Sequence, residues 1–139
     1  MINFDYETDF KISNEDDFSN WISEVITSES YVLGDINYVF CDDAYLHKIN
    51  VEYLDHDTLT DIITFDNSIG KMIHSDIVIS VERVIDNAKD FNVPFEEELK
   101  RVIIHGVLHL CGYKDKSKEE DVLMRQKENE KIKMFHVEH

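Results

Sequence analysis

The chain has 139 residues, 42% of them hydrophobic, which suits one domain with a single ordinary core. Its 14 basic and 30 acidic residues give a formal charge of −16, which opposes unspecific adsorption to nucleic acid or anionic membranes. A polyanionic substrate therefore requires a local basic patch. We expect a single domain over residues 1–139.

The N-terminal segment, MINFDYETDF, has neither the basic start nor the apolar core of a signal peptide. No apolar run approaches the roughly 20 residues of a membrane helix. These features predict a cytoplasmic protein with no membrane partner. Cys41 and Cys111 lie in apolar segments without CxxC spacing, which predicts two buried free thiols and no disulfide.

Hydrophobic periodicity predicts the elements of the first half. Alternation predicts a strand over 2–7, and apolar residues at helical spacing predict an amphipathic helix over 15–28. Gly34 is expected to break the chain before a second strand over 35–42. Helical spacing then returns over 43–54.

Two β-branched runs follow, over 60–67 and 74–80, and a glycine lies in the segment between them. This pattern predicts two strands joined by a short connection. A helix is predicted next, over about 81–91.

Pro94 is expected at the first position of a further helix, followed by three glutamates that suit its positive end. That helix should reach Leu110 or Cys111, with Gly112 as its stop. The capping-box sequence SKEE opens a last helix over 118–134, whose charges are expected to form a solvated face. The order of elements predicts an α+β fold, with a mixed sheet of about four strands covered by about five helices.

His105 and His109 are four residues apart on a helix, so both imidazoles can reach one metal ion. A catalytic zinc site needs at least three protein ligands. Gly112 lets the chain fold back and makes Asp115 the candidate third ligand; an exposed turn residue is the alternative for Asp115. The pattern predicts one Zn²⁺, or another divalent ion, on a central helix, with His105 and His109 also counted as catalytic.

The spacing resembles the HExxH motif of metalloproteases, in which a glutamate follows the first histidine and acts as general base. Here that position is Gly106. Without the carboxylate, peptide hydrolysis lacks its usual proton acceptor, which disfavours a protease.

The segment HGVLHLCGY, residues 105–113, resembles the HGxLHLxGYDH signature of the YbeY endoribonuclease, or ribosomal RNA maturation factor, family. Residues 50–65, NVEYLDHDTLTDIITF, resemble the family segment N-x-x-[aromatic]-R-x-x-D-x-x-T-[DN]-V-L-S-F. Asp76 and Ile77 resemble its Gly-Asp-Ile strand. Several separated motifs in the same order make the resemblance specific.

The resemblance implies a metal-dependent, single-strand-specific endoribonuclease of small-subunit ribosomal RNA 3′-end maturation and ribosome quality control. The family holds a zinc-type ion with three histidines, of which His105 and His109 match the first two and Asp115 stands at the third. The family's arginine, thought to meet substrate phosphate, falls on Leu54, and its neighbouring lysine falls on His56.

RNA and the small ribosomal subunit are therefore the expected partners. Because Leu54 cannot pair with phosphate, a non-catalytic ribosome-assembly factor that retains the metal site stays open as an alternative. A zinc hydrolase with another class of substrate is a further alternative. His56 and the lysines that flank Asp115 are the predicted substrate-binding residues, with ordinary solvated lysines as the alternative for the latter. These lysines are Lys114, Lys116 and Lys118.

Overall fold

The structure, a computed structural model, describes residues 1–54 and 60–135. Within these ranges four strands and five helices follow one another along the chain. They are β1 (Ile2–Tyr6), α1 (Glu15–Ser28), β2 (Val32–Cys41), α2 (Asp43–Leu54), β3 (Ile62–Asp66), β4 (Met72–Ser80), α3 (Val81–Asp90), α4 (Phe95–Leu110) and α5 (Lys118–Ile132).

The strands form one mixed sheet in the order β1-β2-β4-β3. β1, β2 and β4 are parallel, and α1 provides the crossover that a parallel β1–β2 pair requires. β3 runs antiparallel to β4, with Ile62 opposite Ile79, so the predicted short connection between these strands is confirmed. The predicted α+β fold with a mixed four-stranded sheet is also confirmed.

Alternate side chains of the strands pack on opposite faces of the sheet. Tyr38 and Phe40 of β2 belong to the larger core, which also contains buried residues of α1 and α4. Val39 and Cys41 pack instead with Leu46 of α2. Helices therefore cover both faces of the sheet.

The start of β2 differs from the prediction, because Gly34 lies inside the strand and does not break it. The pairing of β2 with β4 is irregular between Leu33 and Ile36, where the register shifts. A Cβ atom at Gly34 would lie 2.6 Å from the carbonyl oxygen of Ile73. The glycine thus marks a bulge at which two backbones approach closely.

The last helix begins as predicted. Ser117 Oγ accepts a hydrogen bond from the Glu120 amide at 3.0 Å, and Glu120 accepts one from the Ser117 amide at 2.9 Å. Most of its charged side chains are exposed, as predicted for a solvated face, but Glu128 and Lys131 are exceptions, each only 4% exposed. Both can stay buried because each has a charged partner: Arg101 of α4 for Glu128, and Glu29, directly after α1, for Lys131.

The two cysteines are buried and free, as predicted. Pro94 lies immediately before α4, one position earlier than expected. Across residues 1–54 and 60–135, every helix is too short or too polar to cross a membrane.

Candidate metal centre

α4 carries both histidines and packs closely on the sheet. Nine of its residues are buried, among them Gly106. A Cβ atom at Gly106 would lie 3.0 Å from Ile62 Cδ1 and 3.1 Å from Thr64 Oγ1. The missing side chain therefore lets the helix rest directly on β3 and β4, which holds the adjacent His105 at a fixed depth.

A Schellman motif ends α4 and turns the chain back. The Tyr113 amide donates to the Leu108 carbonyl and the Gly112 amide to the His109 carbonyl, each at 3.0 Å. Gly112 has φ +98°, a conformation that disfavours residues with a side chain. The reversal brings the following loop, which contains Asp115, beside the two histidines.

His105, His109 and Asp115 each offer one ligand atom, and these atoms lie within 4.8 Å of one another. Asp115 Oδ2 is 3.2 Å from His105 Nε2 and 3.4 Å from His109 Nε2. All three residues are partly buried. The group could hold a metal ion, and it consists of the three residues predicted as ligands.

The second nitrogen of each imidazole is held from outside the group. His105 Nδ1 lies 2.6 Å from Glu128 Oε2, and His109 Nδ1 lies 3.0 Å from the carbonyl oxygen of Tyr113. Because a carbonyl oxygen only accepts hydrogen bonds, Nδ1 of His109 must be the protonated nitrogen. This arrangement leaves the Nε2 lone pairs free for a metal ion, as in known histidine–metal sites.

Without an ion, a proton is favoured at His105. Burial lowers the pKa of its imidazole, but the hydrogen bond and charge of Glu128, together with the charges of Asp115 and Asp61, raise that pKa above its usual value. An incoming metal ion must displace this proton, so metal affinity depends on pH.

Glu128 is itself held by an arginine. Arg101 donates to Glu128 Oε1 at 3.1 Å, and its side chain is only 15% exposed. Its Nε also lies 3.8 Å from Glu98 Oε1. Burial raises the pKa of Glu98, and the nearby charge of Arg101 offsets part of that effect. A row of charged groups thus runs from Glu98 to His105.

A cleft of about 250 Å³ opens beside the ligand group. Burial raises the pKa of Asp61 on its wall, as it does that of Glu98, and Asp61 accepts a hydrogen bond from Asn87 at 3.1 Å. The described residues that line the cleft are Asp61, Ile62, Asn87, Phe91, Glu98, Arg101, Val102, His105, Asp115, Asp121, Arg125 and Glu128.

Comparison with known proteins identifies the family. Residues 3–136 match the family described as Endoribonuclease YbeY. The chain belongs to this family. The YbeY relatives include the Endoribonuclease YbeY of Flavobacterium johnsoniae, 68% identical over 99% of both chains. That of Flavobacterium psychrophilum is 64% identical over 99% of this chain and 98% of its own.

A solved structure has a similar fold. The solution structure of TM1509 from Thermotoga maritima is similar to this chain with a TM-score of 0.71 and 28% identity. The similarity covers 97% of this chain and 89% of that protein. The family recognised from the sequence motifs is confirmed by the family match and by the relatives.

The predicted substrate-binding residues are distinct from the three residues of the candidate metal group. The lysines flanking Asp115 are exposed and are not among the described residues that line the cleft. His56 lies outside the described residues. Leu54, at the family's arginine position, is 39% exposed at the end of α2. RNA binding by His56 and by these lysines stays a prediction.

Sequence reasoning missed the residues that hold the two imidazoles in place. Glu128 was detectable in principle, because it follows the buried Met124 by four residues and so shares its helix face. Arg101 precedes His105 by one helical turn and was also detectable. The carbonyl of Tyr113 was not, since a backbone acceptor leaves no signal in residue identity.

Proposed function

We propose that this chain is a metal-dependent, single-strand-specific endoribonuclease of the cytoplasm. It acts in 3′-end maturation of small-subunit ribosomal RNA and in ribosome quality control, and it holds one Zn²⁺ through His105, His109 and Asp115. Membership of the Endoribonuclease YbeY family supports an RNA-hydrolysing role.

The observation that supports a catalytic metal is the orientation of the two imidazoles. Glu128 and the Tyr113 carbonyl engage both Nδ1 atoms, so both Nε2 atoms face the same carboxylate oxygen. Three donors leave room for substrate or water, which is typical of catalytic and not of structural zinc sites.

In the proposed reaction the ion and the side chains of the protein have separate roles. A bound ion would polarise a phosphate oxygen and lower the pKa of water. Asp115 supplies a negative ligand, which makes the site less positive than one with three histidines and better suited to harder divalent ions. Burial raises the pKa of Asp61, so this carboxyl on the cleft wall is a candidate proton donor or acceptor for the reaction.

One experiment separates the candidate functions. Purified protein is loaded with Zn²⁺, and cleavage of a small-subunit ribosomal RNA 3′ precursor is compared with cleavage of the same sequence as a duplex. Metal-dependent cleavage of the single strand alone supports the proposal. Bound metal without cleavage would support the assembly factor, and hydrolysis only of small phosphodiesters or peptides would support another hydrolase.

The same assay tests the third ligand. Asp115→Ala should lose metal and cleavage, whereas Asp115→His should keep the metal because imidazole is another good zinc donor. If Asp115→Ala kept a full equivalent of metal, a ligand outside the group would be required. His105→Ala provides the reference for a variant with only two remaining donors.

The predicted basic patch needs its own test, because net charge opposes RNA binding. Replacing Lys114, Lys116 and Lys118 together with glutamate should abolish RNA binding and leave metal binding intact. The matched control places glutamate at Lys11, Lys48 and Lys133, which makes the same change in net charge. Equal loss in both triple variants would show an effect of overall charge and not of a patch.

A further inference from the structure

The cleft beside the ligand group extends along α4 away from the histidines. Glu98, Val102 and His105 lie on one face of this helix, since they are spaced four and three residues apart. Seven residues at 1.5 Å each place Glu98 about 10 Å along the helix from His105. The far end of the cleft is therefore distinct from the ligand group and continuous with it.

An aromatic ring and a guanidinium stand together at this cleft. Phe91 is 55% exposed, although its backbone is held by a hydrogen bond from its amide to the Asn87 carbonyl at 2.9 Å. The Cζ atom of Arg125 lies 5.8 Å from the centre of the Phe91 ring. An exposed ring beside an arginine is the pairing that proteins use to stack a base and bind its phosphate.

The guanidinium of Arg125 is available for further hydrogen bonds. Arg101, the other arginine among the described residues of the cleft wall, is largely buried and bonded to Glu128. Arg125 is 51% exposed, and its Nε is 3.9 Å from Glu128 Oε1, which is too long for a hydrogen bond. Its guanidinium can therefore bind phosphate oxygens.

Glu98 has a carboxylate oxygen that lacks a hydrogen-bond donor. Its residue is 3% exposed, and among the described residues its buried Oε1 has no hydrogen-bond partner. Arg101 Nε, at 3.8 Å, contributes charge but no hydrogen bond. A buried acceptor left unpaired is unfavourable, so a ligand that brings an N–H group here gains free energy.

We propose that this end of the cleft binds one unpaired nucleotide of RNA. Its base stacks on Phe91, its phosphate pairs with Arg125, and an exocyclic amine of the base donates to Glu98 Oε1. The inference rests on the proposed function and adds to it a preference for cytosine over uracil, because uracil presents a carbonyl where cytosine presents an amine.

The charges of the cleft favour this orientation of the nucleotide. The described wall holds five carboxylates, those of Asp61, Glu98, Asp115, Asp121 and Glu128, which repel a phosphate and accept hydrogen bonds from a base. The phosphate is therefore assigned to the exposed Arg125 at the rim. The amine's hydrogen bond also favours the ionised form of Glu98 and offsets the desolvation that raises its pKa.

The test measures binding without catalysis. Fluorescence anisotropy is recorded for labelled oligocytidylate and oligouridylate of equal length, with full-length protein and a chelator present, over a range of salt concentrations. Thermal unfolding is recorded for each variant to check that the variant is folded. The parent protein should bind oligocytidylate about tenfold more tightly, the difference expected when one polar group of a site loses its partner.

Each residue has its own signature in this assay. Arg125→Ala should weaken the binding of both oligonucleotides. It should also reduce the slope of log affinity against log salt concentration by about 0.7, the value for one lost phosphate contact with a single strand. Phe91→Leu should weaken both about tenfold with no change of slope, and Phe91→Trp should retain binding. Glu98→Gln should remove the preference for cytosine, because an amide can also donate to the uracil carbonyl.

The controls distinguish failure of the nucleotide subsite from failure of the proposed nuclease function. Lys133→Ala removes one exposed positive charge that is not on the described cleft wall, and it should leave the cytosine preference and the Phe91 effect unchanged. Binding that is equal for both oligonucleotides and insensitive to Phe91 and Arg125 would overturn the subsite and leave the proposed nuclease standing. Absence of any RNA binding at low salt would overturn both.

Discussion

Glu128 Oε2 lies 2.6 Å from His105 Nδ1, so a carboxylate of α5 holds an imidazole of α4. A second contact joins α5 to the rest of the core, because Trp21 Nε1 donates to the Lys131 carbonyl at 2.7 Å. The ligand group therefore depends on a helix that lies outside the histidine signature. The geometry of the ligand group therefore depends on how α5 packs against α4 and the core.

Glu128→Gln should weaken metal binding by about 10-fold to 100-fold, the usual cost of losing a group that orients a ligand. Glutamine fills the same volume but does not supply the negative charge that favours the Nδ1 proton. Affinity is measured by competition with a chromogenic chelator. Glu119→Gln, an exposed change on the same helix, is the control, and equal affinities in the two variants would rule out an orienting role for Glu128.

The fold and the ligand group were predictable because their signals are local. α1 spans residues 15–28 as predicted, since its apolar residues repeat at helical spacing. Asp115 followed from the helix stop at Gly112. Arg101 of α4 pairs with Glu128 of α5, and the two residues are 27 positions apart in sequence. Spacing within one segment cannot reveal such a pair.

Gly106→Ala tests the close packing of α4 on the sheet. The added Cβ would meet Ile62 Cδ1 at 3.0 Å, so we expect a loss of about 1–3 kcal/mol in the free energy of unfolding, measured with urea. Ile62→Val removes the contacting methyl group. The double variant should therefore be more stable than the sum of the two single changes predicts.

Additive effects in that cycle would show that Ile62 is not the obstacle. Thr64→Ser, which keeps the hydroxyl group of the other close neighbour, serves as the matched control. It should give no comparable rescue, because Thr64 Oγ1 remains 3.1 Å from the added carbon.

Glu29 should make stability depend on pH. Burial raises the pKa of its carboxyl, but hydrogen bonds from Lys131 and Tyr113 and the charges of Lys131 and Lys127 lower that pKa below its usual value. A lowered pKa in the folded state gives stability that is present above about pH 4.3, the unfolded value, and lost as pH falls through the folded value. The parent should thus lose this contribution only in acid.

Glu29→Gln should lower the free energy of unfolding at pH 7 by about 2 kcal/mol, since hydrogen bonds to a charged group are lost from a site that is 12% exposed. The difference from the parent should shrink as the pH falls below 4. Urea unfolding across this range measures it. Glu24→Gln, an exposed change on α1, should show no such trend, and a constant difference for Glu29→Gln would refute the assigned ionisation.

Leu54→Arg addresses the position where this chain departs from the resemblance. Leu54 is 39% exposed, so arginine is accommodated at little cost to stability. A guanidinium can pair bidentately with phosphate, and we expect about tenfold faster cleavage of single-stranded RNA. Leu54→Gln, equally polar but uncharged, should give no gain. If both variants cleave like the parent, the phosphate contact is supplied elsewhere, and Arg125 becomes the residue whose loss should then reduce cleavage most.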